Sequence, residues 1–252
     1  MLNYFGLIGV LLSMCAFAPP VAANVEKIIF LGPDTINVPH QSPTIADLGL
    51  DVLSPDSANT RSIRTYLEAE FPGKDEQGLR KGKTTWLLLD NLKPGQRYEV
   101  RVCWAATQPT SFTLKTHDVP VVWDTPELIS SLSEYSTARL EKKSTQEGEE
   151  SGQSGRKAID RRGEHEASML LLEILAAADY FTDHANLMEK VEPVHVDIIL
   201  DPYVFNVLPR SLIPTVLYIL VVATVFWLFA RRMAAGFREF ASDKATSEKK
   251  QQ

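Results

Sequence analysis

The chain has 252 residues, 44% hydrophobic and 23% charged, with a formal charge of −6. That leaves room for one moderate domain and a linker, and excludes a large multidomain enzyme or a polytopic transporter. Two stretches, residues 4–17 and 211–230, hold no charge at all, so the apolar content is concentrated rather than spread.

Residues 1–23 read MLNYFGLIGVLLSMCAFAPPVAA, an apolar run closed by Pro19 and Pro20 and then by small residues at Val21 and Ala23. The run is too short for a bilayer core of about 30 Å, which takes roughly 20 helical residues, and the prolines end a helix there. The pattern predicts a secretory signal cut between Ala23 and Asn24, with an uncleaved anchor as the alternative. The mature chain then starts in the lumen of the endoplasmic reticulum. Of the two cysteines, Cys15 leaves with the leader, so Cys103 has no internal partner and reads as a packed thiol rather than a nucleophile. No Asn-x-Ser/Thr sequon occurs.

Residues 24–140 read as a β-rich lumenal domain. Strands are predicted over 26–31, which runs into Gly32-Pro33, and over 85–89. The clearest stretch is WLLLDNLKPGQRYEVRVCW, residues 86–104, where Tyr98, Val100 and Val102 alternate with Glu99 and Arg101. One face is apolar and the other charged. Pro94-Gly95 suits a turn in which proline sets φ near −65° and glycine supplies a positive φ. Residues 111–114 and 119–123 read as further short strands, and residues 128–140 carry helical spacing.

Residues 141–166 hold 13 charged residues in 26, with Ile159 as their one large aliphatic, and read as a disordered insert. Residues 167–210 complete the domain: 167–181, where 169–172 and 174–178 are apolar with Glu173 interrupting, is predicted as a helix, and 194–200 alternates as a last strand. Residues 211–230, SLIPTVLYILVVATVFWLFA, are uncharged and long enough to cross a bilayer once, at 1.5 Å per residue. Arg210 precedes the span, and six basic residues follow it in the tail 231–252. The positive-inside rule puts that tail in the cytosol, so the formal charge divides into −9 in the lumen and +3 in the cytosol. Lys249 and Lys250 stand fourth and third from the end, the placing of a dilysine retrieval signal read by coat proteins.

Catalytic chemistry is not visible. The five histidines, His40, His117, His165, His184 and His195, form no metal-ligand spacing, and neither a nucleophile elbow nor a phosphate loop occurs. Asp197 and Asp201, four apart on a predicted strand, lie about 13 Å from each other, too far for paired acid/base work. No catalytic, cofactor-binding or metal-binding residue is assigned, and the acidic lumenal part argues against nucleic acid.

The spacing Leu92-x-Pro94-Gly95-x-x-Tyr98-x-Val100-x-Val102 resembles the corner between two strands of an immunoglobulin or fibronectin type III sandwich, where a tyrosine hydroxyl bonds back to nearby backbone. Pro94, Gly95 and Tyr98 are therefore read as structural turn and corner residues. The fold expected is a mainly β, antiparallel sandwich with one or two helices and one C-terminal transmembrane helix. With its leader, its single crossing, its short basic tail and the block LKPGQRYEVRVCWAATQPTSFTL, residues 92–114, the chain resembles the fungal co-activator subunit of GPI-mannosyltransferase II. The resemblance implies a non-catalytic, single-pass type I subunit in the endoplasmic reticulum membrane, whose partner is the polytopic catalytic subunit adding the second mannose to glycosylphosphatidylinositol precursors. An accessory or chaperone subunit of another complex in that membrane, or a lumenal enzyme, remains open.

Overall fold

The computed structural model describes residues 23–38, 45–75, 78–79, 82–146 and 165–249. Residues 1–22 of the predicted leader and Lys250 lie outside them, as does most of the predicted insert. Ala23 and Asn24 are the first two residues of strand β1 (Ala23–Leu31). In chain order there follow β2 (Ile36–Val38), β3 (Asp51–Leu53), β4 (Ser62–Leu67), β5 (Lys74–Asp75), β6 (Gly78–Leu79), β7 (Lys83–Leu89), β8 (Arg97–Ala105) and β9 (Thr110–Asp118). Helices α1 (Val119–Asp124) and α2 (Pro126–Gln146) come next, then β10 (His165–Ala167), β11 (Leu170–Ala178), helix α3 (Ala185–Glu189), β12 (Val194–Val204), β13 (Leu208–Pro209) and helix α4 (Ile213–Lys249). The chain forms two compact units, Met1–Leu200 and Asp201–Gln252.

The first unit is built from two sheets. In one, β8 lies between β1 and β12, and β4 pairs with β12; in the other the order is β3-β7-β11-β9. The pairings β1/β8, β4/β12, β7/β11 and β9/β11 are antiparallel, and β3 runs parallel to β7. Alternate residues of both sheets meet in one core: Val100 and Val102 from β8, Val196 and Ile198 from β12, Leu87 and Leu89 from β7, and Leu172 and Ile174 from β11. The expected antiparallel sandwich is therefore the fold. A second apolar cluster covers the outer face of the β7/β11 sheet, where Trp86, Leu88 and Leu171 pack under Val119 and Val122 of α1 and Leu132 of α2.

Two predicted elements are corrected. Residues 167–181 do not form a helix: residues 170–178 are the strand β11, buried along both faces. A strand between a core on one side and a helical cover on the other is apolar on both faces, here with Glu173 as the exception, and such a run lacks the alternation that marks a half-buried strand. Residues 119–123 are not a strand but α1, with proline in its first turn, where the missing N–H costs nothing, and with Val119 and Val122, three apart, turned inward. In addition, α2 runs to Gln146, beyond the helical stretch read from the sequence. Its Lys142 ion-pairs with Glu68, and β10, past the predicted insert, pairs with β2.

Helix α2 is fixed to the sheet by polar contacts as well as by Leu132. Ser136 Oγ donates to the Leu48 carbonyl at 2.8 Å, and Arg139 Nε donates to the Gly49 carbonyl at 2.9 Å. Arg139 also meets the Tyr135 hydroxyl and ion-pairs with Asp51 at the start of β3. Burial opposes the charge of this guanidinium, yet Asp51 and Tyr135 outweigh it and hold the pKa above its ordinary value.

Candidate functional site

The crossing from β7 to β8 takes the chain from one sheet to the other. Gln96 N–H donates to the Lys93 carbonyl at 3.1 Å, with Pro94 and Gly95 between them and Gly95 at φ 70°, the geometry of a type II turn. The buried Tyr98 hydroxyl accepts from Lys93 N–H at 2.9 Å and donates to Gln96 Oε1 at 3.1 Å. Burial pushes the phenol above its ordinary pKa, against the pull of the Lys93 N–H. Gly32 closes the corner: it exchanges backbone bonds with Gln96 and Gly95, and a Cβ there would stand 2.2 Å from the Lys93 carbonyl oxygen. These residues hold backbone in place and offer no exposed reactive group.

On another part of the first unit an open groove of about 680 Å³ is lined by Tyr66, Gln108, Asn186, Leu187, Lys190, Glu192 and Pro193. Tyr66 and His195 are cross-strand partners on β4 and β12, with ring centroids 4.9 Å apart. Gln108, in the turn between β8 and β9, donates to the Pro193 carbonyl and accepts from His195 N–H, so it fixes the start of β12 from both sides. The exposed tyrosine ring beside amide and charged groups gives a surface suited to polar contacts. Its aliphatic lining is confined to Leu187 and Pro193.

Groups able to do acid/base chemistry are engaged elsewhere. His117 Nε2 lies 3.1 Å from the buried Glu173 carboxylate, with Lys115 at 3.9 Å from the same oxygen and the Trp86 ring beside the imidazole. This histidine–carboxylate pair, 56 residues apart in sequence, was not legible from spacing. No contact of His117 here supplies a hydroxyl or thiol nucleophile. Asp197 takes a bidentate bond from Arg64 at 2.6 and 2.9 Å, which holds its carboxyl below the usual range. Cys103 is a free thiol whose pKa burial pushes up, with Arg101 pulling the other way, the opposite of an activated nucleophile. Among the described residues no group of three or more His, Cys, Asp or Glu side chains could hold a metal ion.

The second unit contains the apolar helix. Asp201 is buried, and both its carboxylate oxygens accept from Ser211 N–H, at 3.3 and 3.2 Å, capping the short 3₁₀ turn Arg210–Leu212 that leads into α4. Within α4, Thr224 Oγ1 donates back to the Leu220 carbonyl at 2.7 Å, which satisfies that hydroxyl inside the helix. Arg231 lies 4.9 Å from the Trp227 ring at the far end. The stretch Arg210–Gly236 is long and apolar enough to cross a membrane, and none of it is buried by protein. Lys249 is the last residue of α4.

A β-sandwich domain followed by one helix of membrane-crossing length defines the class. Residues 14–127 match the family model described as GPI-mannosyltransferase II co-activator, Pga1. That match supports the likeness drawn from residues 92–114. The match ends at the start of α2, so β11, β12 and α4 lie outside it. Comparison with curated proteins and with solved structures found no match.

Proposed function

We propose that this protein is a non-catalytic subunit of GPI-mannosyltransferase II, held in the endoplasmic reticulum membrane by α4 with its β-sandwich in the lumen and its basic tail in the cytosol. The observation that carries the reading is the family match over residues 14–127. Physical chemistry supports it. Transfer of mannose between lipid-linked donor and acceptor calls for an enzyme with a site at the membrane, which one helix and a sandwich do not build by themselves. The role left to this chain is to stabilise or position a polytopic partner. The charge asymmetry around α4 supports the type I orientation, and Lys249 and Lys250 supply the retrieval address for coat proteins.

Depletion of the protein followed by analysis of lipid-linked GPI intermediates tests the step: precursors bearing a single mannose are expected to accumulate. Accumulation of mannose-free precursors, or of none, would assign the chain to another complex. Co-purification of the tagged full-length chain with a mannosyltransferase from detergent extract is the companion result. Recovery of GPI-mannosyltransferase activity without this chain in the preparation would remove the co-activator role.

A further inference from the structure

We infer that the turn joining β12 to β13 is a second membrane contact, which places Phe205 and Val207 in the boundary between headgroups and acyl chains of the bilayer that α4 crosses. Phe205 is 94% exposed and Val207 78%, the two most exposed large apolar side chains among the described residues of the second unit. Leu212, at the foot of α4, is 44% exposed. Water is a poor solvent for such side chains, and protein covers neither turn residue.

The backbone points to a selected conformation. Phe205 and Asn206 both have positive φ, 52° and 58°, and Val207 N–H donates to the Val204 carbonyl at 3.1 Å, so the turn is of the primed type that joins tightly twisted strands. Glycine, asparagine and aspartate are the residues suited to this region of backbone space, and a phenylalanine there is strained. Strain at a fully exposed aromatic with no partner in the fold is accounted for by a partner outside it.

Lipid is the occupant that position favours. The hairpin returns through Leu208–Pro209 paired with Val204 and Tyr203, and Ser211 N–H is bonded to Asp201, so turn and helix start belong to one tied unit. Phe205 stands five positions before Arg210, where the membrane-crossing stretch begins, a reach of at most about 17 Å. From Pro202 to Pro209 the sequence PYVFNVLP carries no charge, and Arg210 then supplies one positive group suited to headgroup phosphates. An uncharged aromatic loop joined directly to a membrane helix has the composition of an interfacial anchor.

The test uses the full-length chain reconstituted in phosphatidylcholine vesicles containing one-fifth phosphatidylserine. Cys103→Ser and Cys15→Ser remove the native thiols, and single cysteines are introduced as Phe205→Cys, Val207→Cys, Val222→Cys in mid-span and Ser133→Cys on the exposed face of α2. Each carries an environment-sensitive fluorophore, and circular dichroism melts verify the fold of every variant. At residues 205 and 207 quenching by aqueous iodide is expected to fall at least three-fold below that at 133, while lipids spin-labelled near the headgroup quench strongly. Iodide quenching at 205 and 207 equal to that at 133 overturns the proposal. Shielding from iodide without quenching by spin-labelled lipid assigns the turn to a second copy of the chain, and shielding that appears only with added mannosyltransferase assigns it to that partner; either overturns it. Free access of iodide to residue 222 overturns the membrane reading of α4 and the anchor with it, whereas failure of the GPI-intermediate test leaves the anchor standing.

Discussion

The strand β11 and the first part of helix α4 are both strongly apolar, LLLEILAAA and a run that includes LYILVVATVFWLFA. Apart from Glu173 in β11, both runs are apolar on every side, but their surroundings in the structure differ. β11 is enclosed by protein, with the sandwich core on one face and α1 and α2 on the other, and every one of its residues but Leu175 is buried. α4 has no protein cover at all along its membrane-crossing stretch. Apolarity measures how badly a segment tolerates water and says nothing about what replaces it.

Placing a charge in each segment breaks this comparison most sharply. Leu172→Asp, which buries an unpaired carboxylate in the middle of β11, is expected to cost more than about 4 kcal/mol and abolish the cooperative melt of the β-domain in detergent. Val222→Asp should leave that melt unchanged and cost about 3 kcal/mol in membrane insertion, read as release of the protein by alkaline carbonate extraction. A similar effect of both on the melt would mean that α4 is part of the domain core.

The cover over β11 can be loosened from its far side. Arg139→Ala removes the tie from α2 to Gly49 and Asp51, with an expected loss of about 1–3 kcal/mol. At roughly 2–4 °C per kcal/mol, thermal melts resolve it. The single acid in β11 gives a finer contrast. His117→Ala leaves the Glu173 carboxylate with Lys115 alone and should cost about 1–3 kcal/mol, whereas Glu173→Leu, apolar like its neighbours, should fall within about 1 kcal/mol of the parent. Urea midpoints of the two variants decide the order.

Two effects concern pH. Tyr98→Phe deletes the bond to Lys93 N–H, at a cost of about 1 kcal/mol. The folded phenol titrates above the unfolded one, so its contribution is complete below the ordinary tyrosine value of about 10 and is lost as pH rises through the folded value. Alkaline melts of the parent should therefore steepen above that point, and less so in the phenylalanine variant. Arg64→Gln is expected to act least, because the pair is on the surface. Asp197 titrates low when folded, so the pair helps above the ordinary aspartate value of about 3.9 and its help fades as pH falls through the folded value. Parent and variant melts should converge in acid.

Legibility in the sequence followed the same physics. β1, β7, β8 and β12 could be placed because turns bound them or because each presents one apolar and one polar face, and α2 because Leu128, Leu132 and Tyr135 repeat at helical spacing. β11 was misread because burial on both faces removes the period that distinguishes strand from helix. β3 and β4 were passed over: one is three residues long, and the other is an edge strand that carries Arg64 and Tyr66 outward. The His117–Glu173 pair, the Arg139 clamp and the Gln108 bridge join residues 56 to 90 positions apart, and nothing local marks them.

From sequence alone followed the properties that reside in one stretch of chain: an apolar helix of membrane-crossing length, a turn at Pro94-Gly95, a tyrosine three residues beyond it and the charge imbalance around the apolar stretch. These depend on local backbone preference or on transfer from water, and both are sums over neighbouring residues. Only the tertiary structure decided which apolar segment is covered by protein, which acids are paired, and that Phe205 is held outward in a turn with positive φ a few residues before the apolar helix. Those outcomes rest on contacts between residues far apart in the chain, whose partners the fold selects.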